Sequence, residues 1–164
     1  MVHKRVKYIG KPLEVVTDEE ALVVEWPRTL THVHTYGQLS RFFRGLKRKE
    51  IWVTRCMNKK CPENRFWFPP RVDCPDCLQS MSWEELPRPI VGEVYAFTNV
   101  EYPGIGIEIS VPYYQIDIKL EGAATIPKGY LVYGEPYIGM KVKCVYREKN
   151  GATNTILDLA WAPV

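Results

Sequence analysis

From Val91 onward, apolar and polar side chains alternate with period two, the spacing of strands that bury one face. Val94, Ala96, Thr98 and Val100 take one phase, and Tyr95, Phe97 and Asn99 the other. The alternation returns at Ile116, Ile118 and Leu120, at Val142, Cys144 and Tyr146, and at Leu157, Leu159 and Trp161. A shorter strand is expected at 130–133, and glycines at Gly104, Gly106, Gly122, Gly129, Gly134, Gly139 and Gly151 break the runs. Short strands at this spacing, with no helical stretch among them, predict a small closed β-barrel of five strands. Cys144 falls on an inward phase and reads as a buried apolar residue rather than a nucleophile.

Upstream the period changes. Residues 36–51, YGQLSRFFRGLKRKEI, place Leu39, Phe42, Phe43 and Leu46 at helical spacing and Arg41, Arg44, Lys47 and Arg48 on the opposite face. This predicts a basic amphipathic helix whose apolar stripe packs on the body of the protein or docks on a partner. Gly45 weakens such a helix by about 1 kcal/mol relative to Ala. Residues 13–16 and 22–26 read as two short strands around a polar turn at 17–20. His32 and His34 have no Cys, Asp or Glu close in sequence, so they are expected on the surface or in the core and not on a metal. The expected division is an N-terminal extension 1–35, a helix 36–51, a cysteine module 52–86 and a barrel 90–164, with Leu86-Pro87-Arg88-Pro89 as a stiff joint.

The cysteine module contains Cys56-x4-Cys61 and Cys74-x2-Cys77, separated by twelve residues. Two tight knuckles aiming four thiolates at one point is how a tetrahedral metal site is assembled. The strand 65–68 and the Pro69-Pro70 pair lie between the knuckles, which gives a zinc ribbon. Iron in a rubredoxin-like fold uses similar knuckles and stays open as the alternative ion. Disulfides do not suit a chain read as cytoplasmic. Four thiolates leave no open coordination position, so the ion is structural and replaces a core that a small module cannot build.

Charge is divided along the chain. Residues 1–71 carry 15 Lys/Arg against 7 Asp/Glu, and residues 72–164 carry 7 against 12. The basic excess peaks between Arg41 and Arg71 and includes Lys59 and Lys60. Such a patch attracts nucleic acid, a phosphate-rich cofactor or an acidic protein surface, unless it is only a solvated face. No apolar run is long enough to span a membrane, and none of signal-peptide length follows MVHKR at the N-terminus; a cytoplasmic location is expected.

Phe42-Phe43-Arg44-Gly45-Leu46, the four cysteines, Phe68-Pro69-Pro70-Arg71 and Cys74-Pro75-Asp76-Cys77 together resemble the zinc-ribbon/OB-fold proteins associated with acyl-CoA enzymes. Residues 92–98, 111–118 and 138–142 continue the resemblance, which runs from about Tyr36 to the end. It implies a mainly β fold: an N-terminal extension, an amphipathic helix, a rubredoxin-like zinc ribbon and a C-terminal five-stranded OB-fold barrel. It also implies a non-catalytic accessory subunit that holds a thiolase-family protein in a hetero-oligomer and contacts the CoA thioester. The residues for CoA or partner contact are then Arg41, Arg44, Lys47, Arg48 and Arg71, with Tyr102, Gly104 and Ile105 in an apolar, glycine-broken loop.

Two other classes of function have less support in the sequence. Ribbons and OB barrels also bind single-stranded nucleic acid, and Phe66, Trp67 and Phe68 could stack on bases. The acidic barrel argues against this, because a strand-binding face needs positive charge. Catalysis by the chain itself lacks support: the only histidines are His3, His32 and His34, and no nucleophile–base pair stands out.

Overall fold

The computed structural model describes residues 14–17, 23–25, 33, 35–102, 104, 107, 109–148 and 151–164. His3, His32, His34, Ile105 and the polar turn 18–20 lie outside the described residues. The chain divides into two compact units, residues 1–34 and 35–164. In the first, β1 (Glu14–Thr17) pairs antiparallel with β2 (Val23–Glu25), Val15 opposite Val24, so the two expected strands form a hairpin.

The second unit opens with a single turn of 3-10 helix, Gly37–Leu39, which runs into helix α1 (Ser40–Lys47). Phe42 and Leu46 are buried and Phe43 packs against the same core, while Arg41, Arg44 and Lys47 are exposed, as the amphipathic pattern requires. The helix is shorter than expected because Lys49 enters the left-handed region (φ 63°) and ends it. Gly45 has a purpose that propensity alone does not show. A Cβ there would lie 2.5 Å from Cδ1 of Trp52, so the missing side chain lets that indole cross the helix.

Next comes a three-stranded antiparallel sheet with β3 (Trp52–Cys56) between β4 (Phe66–Trp67) and β5 (Met81–Glu85). The strand expected at 65–68 is therefore realised as two residues, and the sequence reading missed both β3 and β5. The barrel follows, with β6 (Val91–Val100), β7 (Tyr113–Lys119), β8 (Lys128–Tyr130), β9 (Lys141–Tyr146) and β10 (Leu159–Pro163). The sheet order is β10-β9-β6-β7-β8, antiparallel throughout, with a bulge in β6 between Val94 and Ala96. A parallel bridge from Leu131 to Trp161 brings the two edge strands together and closes a five-stranded barrel of the OB type.

Two strand boundaries differ from expectation. The strand placed at 130–133 lies at Lys128–Tyr130, because Leu131 turns inward to the core and Val132 donates its N–H to the Trp161 carbonyl at 2.9 Å. The last strand starts at Leu159, since Ile156–Asp158 is a 3-10 turn. Buried Asp158 holds that turn, accepting from the Thr153 N–H at 2.7 Å, the Thr153 hydroxyl at 2.8 Å and the Asn154 N–H at 2.8 Å. Cys144 packs beside the core as expected, and burial pushes its thiol up to about 12.

One core runs through helix, ribbon and barrel. Phe42, Leu46, Ile51, Val53, Phe66 and Phe68 belong to the same buried cluster as Val94, Ile116, Ile118, Val142 and Trp161. Each such side chain contributes about 1.5–3 kcal/mol by leaving water. Main-chain bonds join the ribbon to the barrel: Phe66 N–H to the Gly122 carbonyl at 3.0 Å, and Ala124 N–H to the Phe66 carbonyl at 2.8 Å. The Thr125 hydroxyl donates to the Phe68 carbonyl.

Candidate metal centre

The four cysteine sulfurs converge, every one within 4.8 Å of the others. Cys56 and Cys77 Sγ are 3.5 Å apart, and Cys61 and Cys74 Sγ 3.7 Å. A tetrahedron with Zn–S bonds of about 2.3 Å has edges of about 3.8 Å, so these separations suit four ligands around one ion. They are far too long for disulfides, whose S–S bond is about 2.05 Å.

Local structure explains the convergence. Cys56 ends β3, and the chain turns back through Asn58, whose N–H lies 3.4 Å from Cys56 Sγ and whose carbonyl accepts from Cys61 N–H at 3.0 Å. In the second knuckle the Leu78 N–H donates to the Cys74 carbonyl at 2.8 Å, and Leu78 adopts φ 59° to complete the turn. Cys74 N–H donates to the Gln79 carbonyl at 2.9 Å, and Met81 pairs with Cys56, which fixes one knuckle against the other.

The thiols differ in their electrostatics. Burial raises Cys56 and pushes Cys61 up to about 12. The Gln79 main-chain N–H bonded to Cys77 draws that thiol down to about 7. A cation at the centre would favour all four thiolates together, since metal coordination deprotonates a thiol outright.

The residues expected to form a basic patch meet different fates. The Arg41 guanidinium stacks 3.6 Å above the Trp52 ring and lies 5.6 Å from that of Trp83. Arg48 is paired with Glu50 at 2.8 Å, and Glu50 also accepts from Trp52 Nε1 at 3.0 Å. Arg55 pairs with Glu84 at 2.9 Å, an interaction with no signal in the sequence because the partners are 29 residues apart. Arg65 pairs with Glu63 at 2.6 Å. Arg44 and Lys47 stay exposed on α1, in no ion pair among the described residues. Arg71 is exposed with its guanidinium 6.0 Å from the Trp67 ring. Tyr102 and Gly104 are exposed in the connection between β6 and β7.

The aromatic triplet offered for base stacking is not available as such. Phe66 and Phe68 are 7% and 1% exposed and belong to the core. On the outer face of the barrel, Lys128 is held by Asp117 at 2.8 Å. Among the described residues no helix is long and apolar enough to cross a membrane.

An amphipathic helix, a four-cysteine ribbon and an OB-type barrel sharing one core define a mainly β ribbon–barrel class of protein. No family model matches the chain. A DUF35 domain-containing scaffold protein of Methanocaldococcus jannaschii is 33% identical over 111 residues, 65% of this chain and 75% of the relative. The chain belongs to the DUF35 family. Two solved structures share the fold. One, an Ltp2–ChsH2(DUF35) aldolase, matches 80% of this chain and 98% of the neighbour at TM-score 0.58 and 22% identity. The other, a Sulfolobus solfataricus DUF35 protein of unknown function, matches 78% of this chain and 87% of its own at TM-score 0.56 and 22% identity.

Proposed function

We propose that this chain is a non-catalytic accessory subunit that holds a thiolase-type enzyme of acyl-CoA chemistry in a hetero-oligomer, with one structural zinc ion on Cys56, Cys61, Cys74 and Cys77. The observation that carries the reading is the similarity to a relative named for its scaffold role. The closed four-thiolate set supports it, because an ion with no open position offers nothing to a substrate. In this reading the extension 1–35, helix 36–51, ribbon 52–86 and barrel 90–164 are the working parts. The cytoplasm is their setting, where thiols stay reduced.

Contact with the phosphates of CoA, or with an acidic partner surface, falls to the exposed cations Arg44, Lys47 and Arg71. Arg41 and Arg48 have closer roles in holding Trp52 and Glu50. Tyr102 and Gly104 sit where a loop can lie on a partner. The nucleic-acid reading loses support, since two of its three stacking rings are buried and Lys128 is paired.

The test is affinity purification of the tagged chain from its own cells at mild salt, with mass spectrometry and nucleic-acid absorbance on one sample. A near-stoichiometric thiolase-like chain, and no turnover by the isolated subunit, is the expected result. Abundant nucleic acid without a metabolic enzyme would overturn the proposal. The double variant Arg44→Glu/Lys47→Glu should keep its fold and weaken CoA or partner binding by about tenfold or more, as loss of charge-assisted contacts implies. Calorimetry showing unchanged affinity for both would return these cations to a solvated face.

A further inference from the structure

The strand register places three tryptophans on one face of the ribbon sheet. Trp67 and Trp83 both stand opposite Thr54, and Trp52 lies two residues before it on β3. Directly opposed residues of antiparallel strands share a face, as do positions two apart along one strand. All three rings are half-buried. β4 and β5 flank β3, so at the usual strand spacing Trp67 and Trp83 rise from strands about 10 Å apart.

Two arginines lie over these rings. The Arg41 guanidinium sits 3.6 Å above Trp52 and 5.6 Å from Trp83, and that of Arg71 is 6.0 Å from Trp67. The Arg71 main-chain N–H donates to the Thr54 hydroxyl at 2.9 Å, which ties this residue to the middle of the face. Both side chains are exposed, and among the described residues neither makes an ion pair or a side-chain hydrogen bond. Stacking engages the flat side of a guanidinium and leaves its N–H edge open to a planar anion. It also restrains a long side chain in advance, so less freedom is lost when that edge is used. Glu50 is already spent on Arg48 and the Trp52 indole. Among the described residues, Glu85, opposite Trp52, is the one acid that the strands place on this face. Arg44, three residues beyond Arg41 on α1, is a third unpaired cation.

We infer that this tryptophan face docks an acidic segment of a partner polypeptide. The segment's carboxylates meet the open edges of Arg41 and Arg71, and its apolar side chains lie on the rings beside them. The inference rests on the accessory-subunit reading for the existence of a partner. It chooses a polypeptide carboxylate over a coenzyme phosphate, and it makes Arg41 a contact as well as a support for Trp52. Tryptophan and arginine are the residues that most often dominate protein–protein binding, and here both kinds share one face. A free phosphate ligand would use the cations and leave the rings without a role. A nucleic-acid base would find Trp52 already covered by Arg41, and its phosphates would be repelled by Glu85.

The test is an NMR titration of the metal-loaded, isotope-labelled full chain, read at the arginine Nε–H and tryptophan indole N–H signals. Four probes are used: a blocked Glu-Leu-Gly repeat peptide, the same peptide with Gln for Glu, coenzyme A and an oligo-dT strand. The expected result is saturable movement of the Arg41, Arg71 and Trp83 signals by the Glu peptide alone, weakening as salt rises. Arg41→Lys keeps the charge but loses the stacked fork. It should keep its metal content and bind the peptide about tenfold more weakly, and Arg71→Lys should do the same. Lys143→Gln, which removes an exposed charge from the barrel, should leave binding unchanged. Equal movement by the Gln peptide, movement by coenzyme A or oligo-dT instead, none at millimolar peptide, or parental affinity in both lysine variants would each overturn the inference. The double variant Arg41→Lys/Arg71→Lys is then carried through the affinity purification. If it retains the partner enzyme as well as the parent chain does, the tryptophan face is not the contact and the accessory reading stands. If the parent chain retains no enzyme, the accessory reading falls and the titration still decides what the face binds.

Discussion

At the scale of single residues, the positions that matter most are those where an ordinary rule gives way to packing. Alanine is normally the better helix former, so Gly45→Ala should stabilise α1 by about 1 kcal/mol if propensity governed. Here the new Cβ would meet Trp52 Cδ1 at 2.5 Å and the Glu50 carbonyl at 3.1 Å. The expected outcome is a net loss of about 1–3 kcal/mol, read as a lower denaturation midpoint at unchanged slope. A gain would mean that Trp52 swings aside freely. The same corner carries a titration signature. Arg48, and then the Trp52 indole, hold the Glu50 carboxyl down at about 2 rather than its ordinary 4.5. A carboxylate depressed by folding adds stability above its unfolded value and loses it as pH falls through the folded one. The contribution should therefore fade between pH 4.5 and about 2. Because solvent screens the exposed Arg48 end of the pair, the effect on stability is small, and the direct check is NMR titration of Glu50: Arg48→Ala should move its midpoint upward.

At the scale of elements, the ribbon is the part whose folding depends on something besides side-chain packing. Cys74→Ser replaces the most buried of the four ligands, and the variant should lose metal by elemental analysis and the β3–β5 pairing by amide exchange. Full metal content with an intact ribbon would remove the case for a four-thiolate centre. How far each element could be read from sequence follows from what its side chains touch. The two cysteine pairs and the strands through Val94, Ile116 and Val142 were legible, because their alternating side chains enter a core at 0% exposure. The α1 face was legible for the same reason. β5 was not: its Ser82, Glu84 and Glu85 satisfy charge and solvent, only Trp83 packs on the core between them, and its strand partner is the distant β3. The pairing of Arg55 with Glu84 and the stacking of Arg41 on Trp52 were equally hidden, since the first is decided by which strands meet and the second by how α1 lies on β3. A basic patch read as one surface was therefore already divided by its internal partners.

At the scale of the whole molecule, helix, ribbon and barrel are parts of one folded body from Thr35 to Val164. The joint at Leu86-Pro87-Arg88-Pro89 looks in sequence like the place to cut it, but the contacts do not respect that line. Phe66 and Phe68 reach from the ribbon into the loop 120–125, and a Cβ on Gly122, at φ 77°, would lie 3.3 Å from the Phe66 ring. Consider a recombination event that joins the ribbon of one relative to the barrel of another at this joint. The covalent chain would be sound, yet the incoming Phe66 would face a loop that had never accommodated it. Successful exchange has to carry 120–125 along with the ribbon, a transfer of two separated stretches in one step. The ribbon and the barrel are thereby bound to a shared inheritance, and their divergence should be correlated across that contact more closely than across the proline joint between them.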